Sequence, residues 1–175
     1  GATVGASFRE FDFAALRFSP GGAPAPLAAT VPDFRALNTM VVASGPQPAI
    51  ADLINGWFGA SPPSTPPNLA FTPPGWIDAS QPQVQALYQQ IVGKVCRTCH
   101  IAFDRTNPTT GINWTSFAQF KAHRSTIQSY VCGDNKLMPH ALMAYRNFWL
   151  STSPNQPGIL SGFSASGWPA FGPCQ

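Results

Sequence analysis

Charged side chains are scarce in this chain of 175 residues: Asp, Glu, Lys and Arg make up 10% of it, against about 25% in ordinary globular proteins. The formal net charge is only +3, and no run of Lys or Arg occurs. No apolar run reaches the roughly 18 residues that indicate a transmembrane helix. The 7 carboxylates are scattered and form no paired motif. These absences argue against a nucleic-acid-binding protein, a membrane-spanning protein and a carboxylate-dependent enzyme.

Cysteine and histidine are rare as well, with 4 and 3 residues, whereas proline and glycine are abundant, with 19 and 15. Hydrophobic residues make up 44% of the chain and include 13 Phe and 5 Trp, enough for one folded core. The composition therefore predicts long irregular Pro/Gly-rich segments, and the helical patterns along the chain predict a mainly α-helical fold between them.

The pattern along the chain divides it into three segments. Residues 1–79 form a Pro/Gly-rich N-terminal extension packed on the core, 80–152 a helical domain, and 153–175 a C-terminal wrap. Within the extension, Asp33 is expected to cap a helix that runs to about Val42.

A second helix of the extension is predicted over 49–58, ending at Gly59, because its apolar residues recur at helical spacing. Residues 60–77 hold six prolines, so this stretch is expected to be an extended strap that Phe71 and Trp76 pin to the core.

The clearest helical pattern starts at Ser80, the expected N-cap, and runs into Cys96. Its apolar residues form one stripe: Val84, Leu87, Tyr88, Ile91 and Val95. Further helices are expected over 114–123 and 140–150.

The sequence CRTCH, residues 96–100, holds two of the cysteines and one of the histidines. Cys-x-x-Cys-His is the spacing of covalent haem c attachment. Cysteines at i and i+3 share one helical face and can reach two vinyl groups of one porphyrin edge, while the histidine at i+4 points at the iron. A zinc site needs a second ligand pair, which Cys132 and Cys174 do not offer by spacing. A redox dithiol normally starts a helix after a strand, whereas this pair ends one. Two buried thiols beside a surface histidine are the remaining alternative.

Several side chains are candidates for the other face of the iron. Met138 precedes a proline at the start of a predicted helix, and we favour it as the sixth ligand. His140 is its rival. Met40 lies in a region without a supporting pattern, and Met143 is expected to fill the core. An open sixth position, which would suit a gas-binding or peroxidatic haem, is the further alternative.

The CRTCH motif, the later Met138-Pro139 pair and the aromatic closing segment 145–150 together resemble a class I cytochrome c domain. The resemblance covers about residues 80–152. In that family a CxxCH motif holds one haem, a loop methionine is the sixth ligand, and a C-terminal helix crosses the N-terminal one. The flanking segments of this chain lie outside the family pattern.

The resemblance implies one covalent haem c bound by Cys96 and Cys99, with His100 and Met138 as axial ligands. It implies electron transfer to a redox protein partner, by a non-enzymatic and monomeric protein. The alternatives are a haem enzyme or a gas- or peroxide-binding domain with an open sixth position, and a docking haem module of a larger redox complex. Haem c is attached outside the cytoplasm, so a periplasmic, extracellular or cell-surface location is expected. There Cys132 and Cys174 are expected to form a disulfide.

The remaining predictions concern the pocket around the haem. Its apolar walls are expected to come from Ile91, Val95, Phe103, Trp114, Phe117, Phe120 and Leu137. Candidate donors to the haem propionates are Trp114, Arg105, Arg124, Lys136 and Arg146, with His123 at the surface or on the propionate side. Carbonyl groups of residues 107–113 are expected to accept the Nδ1–H of His100.

Overall fold

The computed structural model describes residues 8–12, 27–59, 66–100, 114–134 and 136–174. These residues are mainly helical and include no β-strand, as the sequence predicts. The helices are α1 (Leu27–Ala43), α2 (Pro48–Phe58), α3 (Pro82–Leu87), a π-helical stretch (Tyr88–Cys96), α4 (Arg97–His100), α5 (Phe117–Ala122), α6 (Arg124–Val131), α7 (Leu142–Trp149) and α8 (Gln156–Gly162).

The first two helices form a hairpin with its own hydrophobic cluster. Helix α1 begins at Leu27 rather than at Asp33, so the predicted cap is wrong: Asp33 lies inside the helix, directly after Pro32. Helix α2 matches the prediction, and Gly59 ends it with a φ of 54°, a conformation that favours glycine. The cluster between the helices consists of Val41, Ile50, Leu53, Ile54, Trp57 and Phe58.

The described part of the proline-rich strap crosses from this hairpin to the larger core. Phe71 packs against the hairpin cluster, and Trp76 is completely buried in the larger one. The indole of Trp76 donates a hydrogen bond to the carbonyl of Trp114 at 2.9 Å. Gly75 lies so close to Thr115 and Ser116 that a Cβ atom would meet the Thr115 carbonyl oxygen at 2.8 Å. The strap is therefore pinned by the two aromatic residues predicted for it.

Helix α3, the π-helical stretch and α4 follow one another without a break, and we call residues 82–100 the motif helix. Its N-cap is Gln81, so the prediction that Ser80 caps it is wrong. The Ser80 hydroxyl instead donates to the Asp78 carboxylate at 2.6 Å. The five stripe residues are all buried, and Val92 joins them. The π-helical winding was not predicted from the sequence.

The remaining helices surround the motif helix. Helix α5 begins at Phe117, three residues later than predicted, because the Ser116 hydroxyl caps it by accepting the Gln119 amide at 3.3 Å. Helix α7 packs against the π-helical stretch, and α8 packs on both. The larger core cluster includes Phe120, Phe148 and Trp168. Within the part of the chain that the structure covers, no helix is long and apolar enough to cross a membrane.

Candidate functional site

A cleft between the end of the motif helix and helices α6 and α7 brings together the residues singled out in the sequence. Cys96, Cys99 and His100 line it together with Met138, Pro139 and His140. Its enclosed volume is about 210 Å³. Most ligand pockets measure roughly 300–1,000 Å³, so a large planar group would extend past the rim. The other lining residues are mostly apolar: Ile91, Val95, Trp114, Phe120, Thr126, Ile127, Tyr130, Val131, Phe148 and Leu160.

The two cysteines of the motif are free thiols in the structure and do not form a disulfide with each other. Cys99 is exposed, while Cys96 is partly covered by the core. Burial, and next the neighbouring Cys99, raise the pKa of Cys96 to about 12. A redox-active Cys-x-x-Cys pair depends on a lowered thiol pKa, so this environment argues against a dithiol oxidoreductase.

His100 is the last residue of the motif helix and lies in a hydrophobic environment. Its ring centroid is 4.8 Å from that of Trp114. Burial, and next the positive charge of His123, lower the pKa of His100 to about 4. The imidazole is therefore neutral at physiological pH and keeps a lone pair for a metal ion.

Met138 lies between α6 and α7 and is held there by its backbone. Its amide donates to the Tyr130 carbonyl at 2.9 Å, and its carbonyl accepts the Trp149 indole N–H at 3.4 Å. His140 also lines the cleft, but its side chain is exposed. Of the other two methionines, Met40 is 69% exposed on α1, and Met143 is half-buried on α7 and does not line the cleft. The structure thus brings Met138 and its predicted rival to the same cleft.

Cys132 and Cys174 form a disulfide, the pairing that the sequence predicted. The bond ties the C-terminal segment to the residues directly before the Met138 loop. The same segment is also held by Arg124, whose guanidinium donates to the Pro169 carbonyl at 2.8 Å, and by the fully buried Trp168.

Some predicted pocket residues lie elsewhere. Phe117 does not line the cleft and packs on the side of Trp76 and Phe163. Leu137 is 44% exposed and does not line the cleft. Phe103, Arg105 and residues 107–113 lie outside the described residues.

The prediction missed the part of the cleft lining that α6, α7 and α8 supply. The helical spacing in 126–131 was the available signal, since residues three and four apart share a face. The missed lining residues are Thr126, Ile127, Tyr130, Val131, Phe148 and Leu160.

The candidate propionate donors differ in their surroundings. The Trp114 indole nitrogen is buried and has no hydrogen-bond partner among the described residues. Arg124 is engaged by the Pro169 carbonyl, and the Lys136 ammonium lies 4.7 Å from the ring centroid of Trp149. Arg146, on α7, and His123, directly before α6, are both partly exposed. Trp114 is therefore the donor best placed within the cleft.

The described side chains include no group of three or more His, Cys, Asp or Glu residues that could hold a metal ion by themselves. Among them, the zinc-type cluster weighed from the sequence is therefore not found. Models of known protein families, curated protein sequences and solved structures were compared with the chain, and none of them matches it.

Proposed function

We propose that this protein carries one covalently bound haem c and transfers electrons, as a cytochrome c-like domain. Cys96 and Cys99 would form the two thioether bonds, and His100 and Met138 would be the axial ligands. One observation carries the proposal: residues about forty positions apart in the sequence, the CRTCH motif and Met138, line a single apolar cleft.

The residues of the cleft fit a haem in three respects. Its walls are almost entirely apolar, as a porphyrin ring requires. The motif histidine is neutral, which is the form that binds iron. The buried Trp114 N–H, which lacks a partner among the described residues, can donate to a propionate group.

Within such a site each side chain would have one task. Bound haem supplies an iron that exchanges one electron at a potential set by its axial ligands and surroundings. Two backbone hydrogen bonds fix the loop that carries the Met138 side chain. His140, the rival ligand, is exposed to solvent. The apolar residues would keep water away from the part of the ring that lies inside the cleft. Nothing in this arrangement requires a substrate, so electron exchange with a redox protein partner is the activity we infer.

The proposed location is the periplasm, the cell surface or the extracellular space. The Cys132–Cys174 disulfide is compatible with an oxidising compartment. Covalent attachment of haem c also takes place outside the cytoplasm.

The deciding experiment is spectroscopy on protein produced in a host that exports the chain and attaches haem c. We expect a pyridine haemochrome of the thioether type, which the Cys96→Ala, Cys99→Ala double variant loses. A protein that purifies without covalent haem under these conditions would refute the proposal.

The same preparation identifies the sixth ligand. We expect a low-spin ferric spectrum with a methionine–iron charge-transfer band that Met138→Ala abolishes and Met143→Ala leaves intact. Loss of a bis-histidine spectrum in His140→Ala would assign the ligand to the rival residue. A high-spin ferric spectrum in the unaltered protein would favour a gas- or peroxide-binding haem instead.

A further inference from the structure

Arg97 stands between the two motif cysteines and is buried, with 4% of its surface exposed. Its Nε and Nη2 atoms make a two-pronged ion pair with the Asp12 carboxylate at 2.7–3.0 Å. Its Nη1 atom donates to the Tyr88 hydroxyl at 2.8 Å. The guanidinium carbon also lies 5.0 Å from the ring centroid of Trp57 in α2. Arg97, the residue at the first x of the Cys-x-x-Cys-His spacing, is thus the centre of a buried polar network.

The other half of this network belongs to the N-terminal segment 8–12. The backbone of Phe11 bonds at both its N–H and its C=O to the side-chain amide of Asn38, at 2.9 and 3.1 Å. Asn38 is completely buried in α1. The segment is therefore fixed to α1 through Phe11 and to the motif helix through Asp12, and it spans the two hydrophobic clusters.

The charges of this network are poorly screened because water is largely excluded. The side chains of Arg97 and Asp12 are only 5% and 2% exposed. A buried ion pair is close to neutral as a pair, but removal of either partner leaves an uncompensated charge in a medium of low dielectric constant. Removal of Asp12 leaves the positive charge on Arg97, next to Cys96, and removal of Arg97 leaves the negative charge on Asp12, which contacts that position.

We propose that residues 8–12 form a clasp on the motif, and that Arg97 is a positioning residue whose charge, balanced by Asp12, sets the reduction potential of the haem. The second half of this inference rests on the proposed function. Ferric iron carries one more positive charge than ferrous iron, so a nearby uncompensated cation disfavours the oxidised state and an uncompensated anion favours it.

The test is a double-mutant cycle with two readouts. In the haem-loaded protein, Asp12→Asn should shift the reduction potential upward and Arg97→Gln should shift it downward. The double variant should return toward the unaltered value. A purely structural role would not give shifts of opposite sign, because each variant would loosen the same contact.

The second readout is the urea unfolding midpoint, which can be measured with or without haem. Each single variant should lower the midpoint, and the double variant should lose less than the sum of the two losses. Asp33→Asn is the control, since it neutralises an exposed charge on α1 outside the segment. It should leave the midpoint and the potential almost unchanged.

Arg97→Lys separates charge from geometry, and it also serves if Arg97→Gln does not fold. It keeps the positive charge but loses the two-pronged pair, so the midpoint should fall while the potential stays near its original value. Additive losses in the unfolding cycle would overturn the clasp. Potential shifts of the same sign in Asp12→Asn and Arg97→Gln would overturn the electrostatic role. If the unaltered protein takes up no haem, the proposed function and the electrostatic role fail together, and the unfolding cycle still decides the clasp.

Discussion

Two parts of the cleft lining are built in different ways: the residues proposed to attach haem, Cys96, Cys99 and His100, which we call the attachment wall, and residues 138–140, which we call the methionine wall. On the attachment wall, Cys96, Cys99 and His100 belong to one continuous helix, and a buried ion pair anchors that helix to a distant segment. On the methionine wall, Met138 lies in a loop between α6 and α7, with exposed neighbours at Leu137 and His140. Two backbone hydrogen bonds and a nearby disulfide hold that loop.

This difference has a physical consequence. A helix fixes the relative positions of residues three and four apart by its own backbone hydrogen bonds, so the attachment wall is specified locally. The loop between α6 and α7 lacks the regular hydrogen-bond series of a helix. Its position therefore depends more on contacts from elsewhere in the fold. We therefore expect the methionine wall to be the more easily disturbed of the two.

The largest expected effect comes from removing the disulfide, which lies directly before the Met138 loop. Its cysteines are 42 residues apart in sequence. The chain-entropy model assigns a crosslink of this span about 4 kcal/mol of unfolding free energy. Cys132→Ala combined with Cys174→Ala should lose about this amount in a denaturant titration, and the methionine–iron band should weaken. A spectrum and a melting temperature identical to those of the unaltered protein would contradict the proposed bracing.

Replacing a core residue that packs beside both walls should lower the free energy of unfolding. Phe148 is buried in α7, which follows the methionine loop, packs on the π-helical stretch and lines the cleft. Phe148→Ala should cost about 3 kcal/mol of unfolding free energy, because it leaves a cavity. Leu150→Ala, at a side chain that is 67% exposed, is the control and should cost less than about 0.5 kcal/mol. Equal losses in the two variants would argue against this packing.

The free energy of unfolding should depend on pH, because the clasp formed by residues 8–12 contains the buried carboxyl of Glu10. Burial, followed by the negative charge of Asp12, raises the pKa of Glu10 from 4.5 to about 7, although its backbone hydrogen bond and the charges of Arg9 and Arg97 oppose the shift. The folded state therefore binds this proton more tightly than the unfolded state. The resulting stabilisation is present below pH 4.5 and is lost as the pH rises through 7.

Glu10→Gln should remove this dependence. We expect the unaltered protein to lose roughly 2–3 kcal/mol more than the variant between pH 4.5 and 8. The measurement is the unfolding free energy at several pH values, with Asp33→Asn as an exposed control. Parallel pH profiles for the Glu10 variant and the unaltered protein would show that the carboxyl does not titrate as inferred.

The same contrast explains what the sequence could predict. The buried stripe of the motif helix and the extent of α2 follow from periodicity, which reports local structure. The Cys132–Cys174 pairing followed from counting, because the motif left only two cysteines. The Arg97–Asp12 pair joins residues 85 positions apart and depends on tertiary packing, so nothing in the local pattern indicated it.

The errors also have physical causes. Asp33 and Ser80 are good N-cap residues by type, but Pro32 is accommodated inside α1 and the Asp78 carboxylate engages Ser80. Phe117 is one of the apolar residues predicted to line the pocket, and it does not line the cleft. The side of α5 that faces the cleft carries Phe120 instead, and this choice depends on how the helix is rotated against the core.

The smallest effect we predict concerns the π-helical stretch itself. The side-chain amide of Gln156 in α8 donates to the Gln90 carbonyl at 2.8 Å, within that stretch. Since π-helical winding alters the regular backbone pairing, an external donor to one of its carbonyls helps to keep it in place. Gln156→Ala should cost about 1 kcal/mol of unfolding free energy and speed up hydrogen exchange over 88–96. Gln83→Ala, at an exposed position of α3, should do neither. If exchange accelerated around Met138 instead, the two walls would be more closely coupled than their construction indicates.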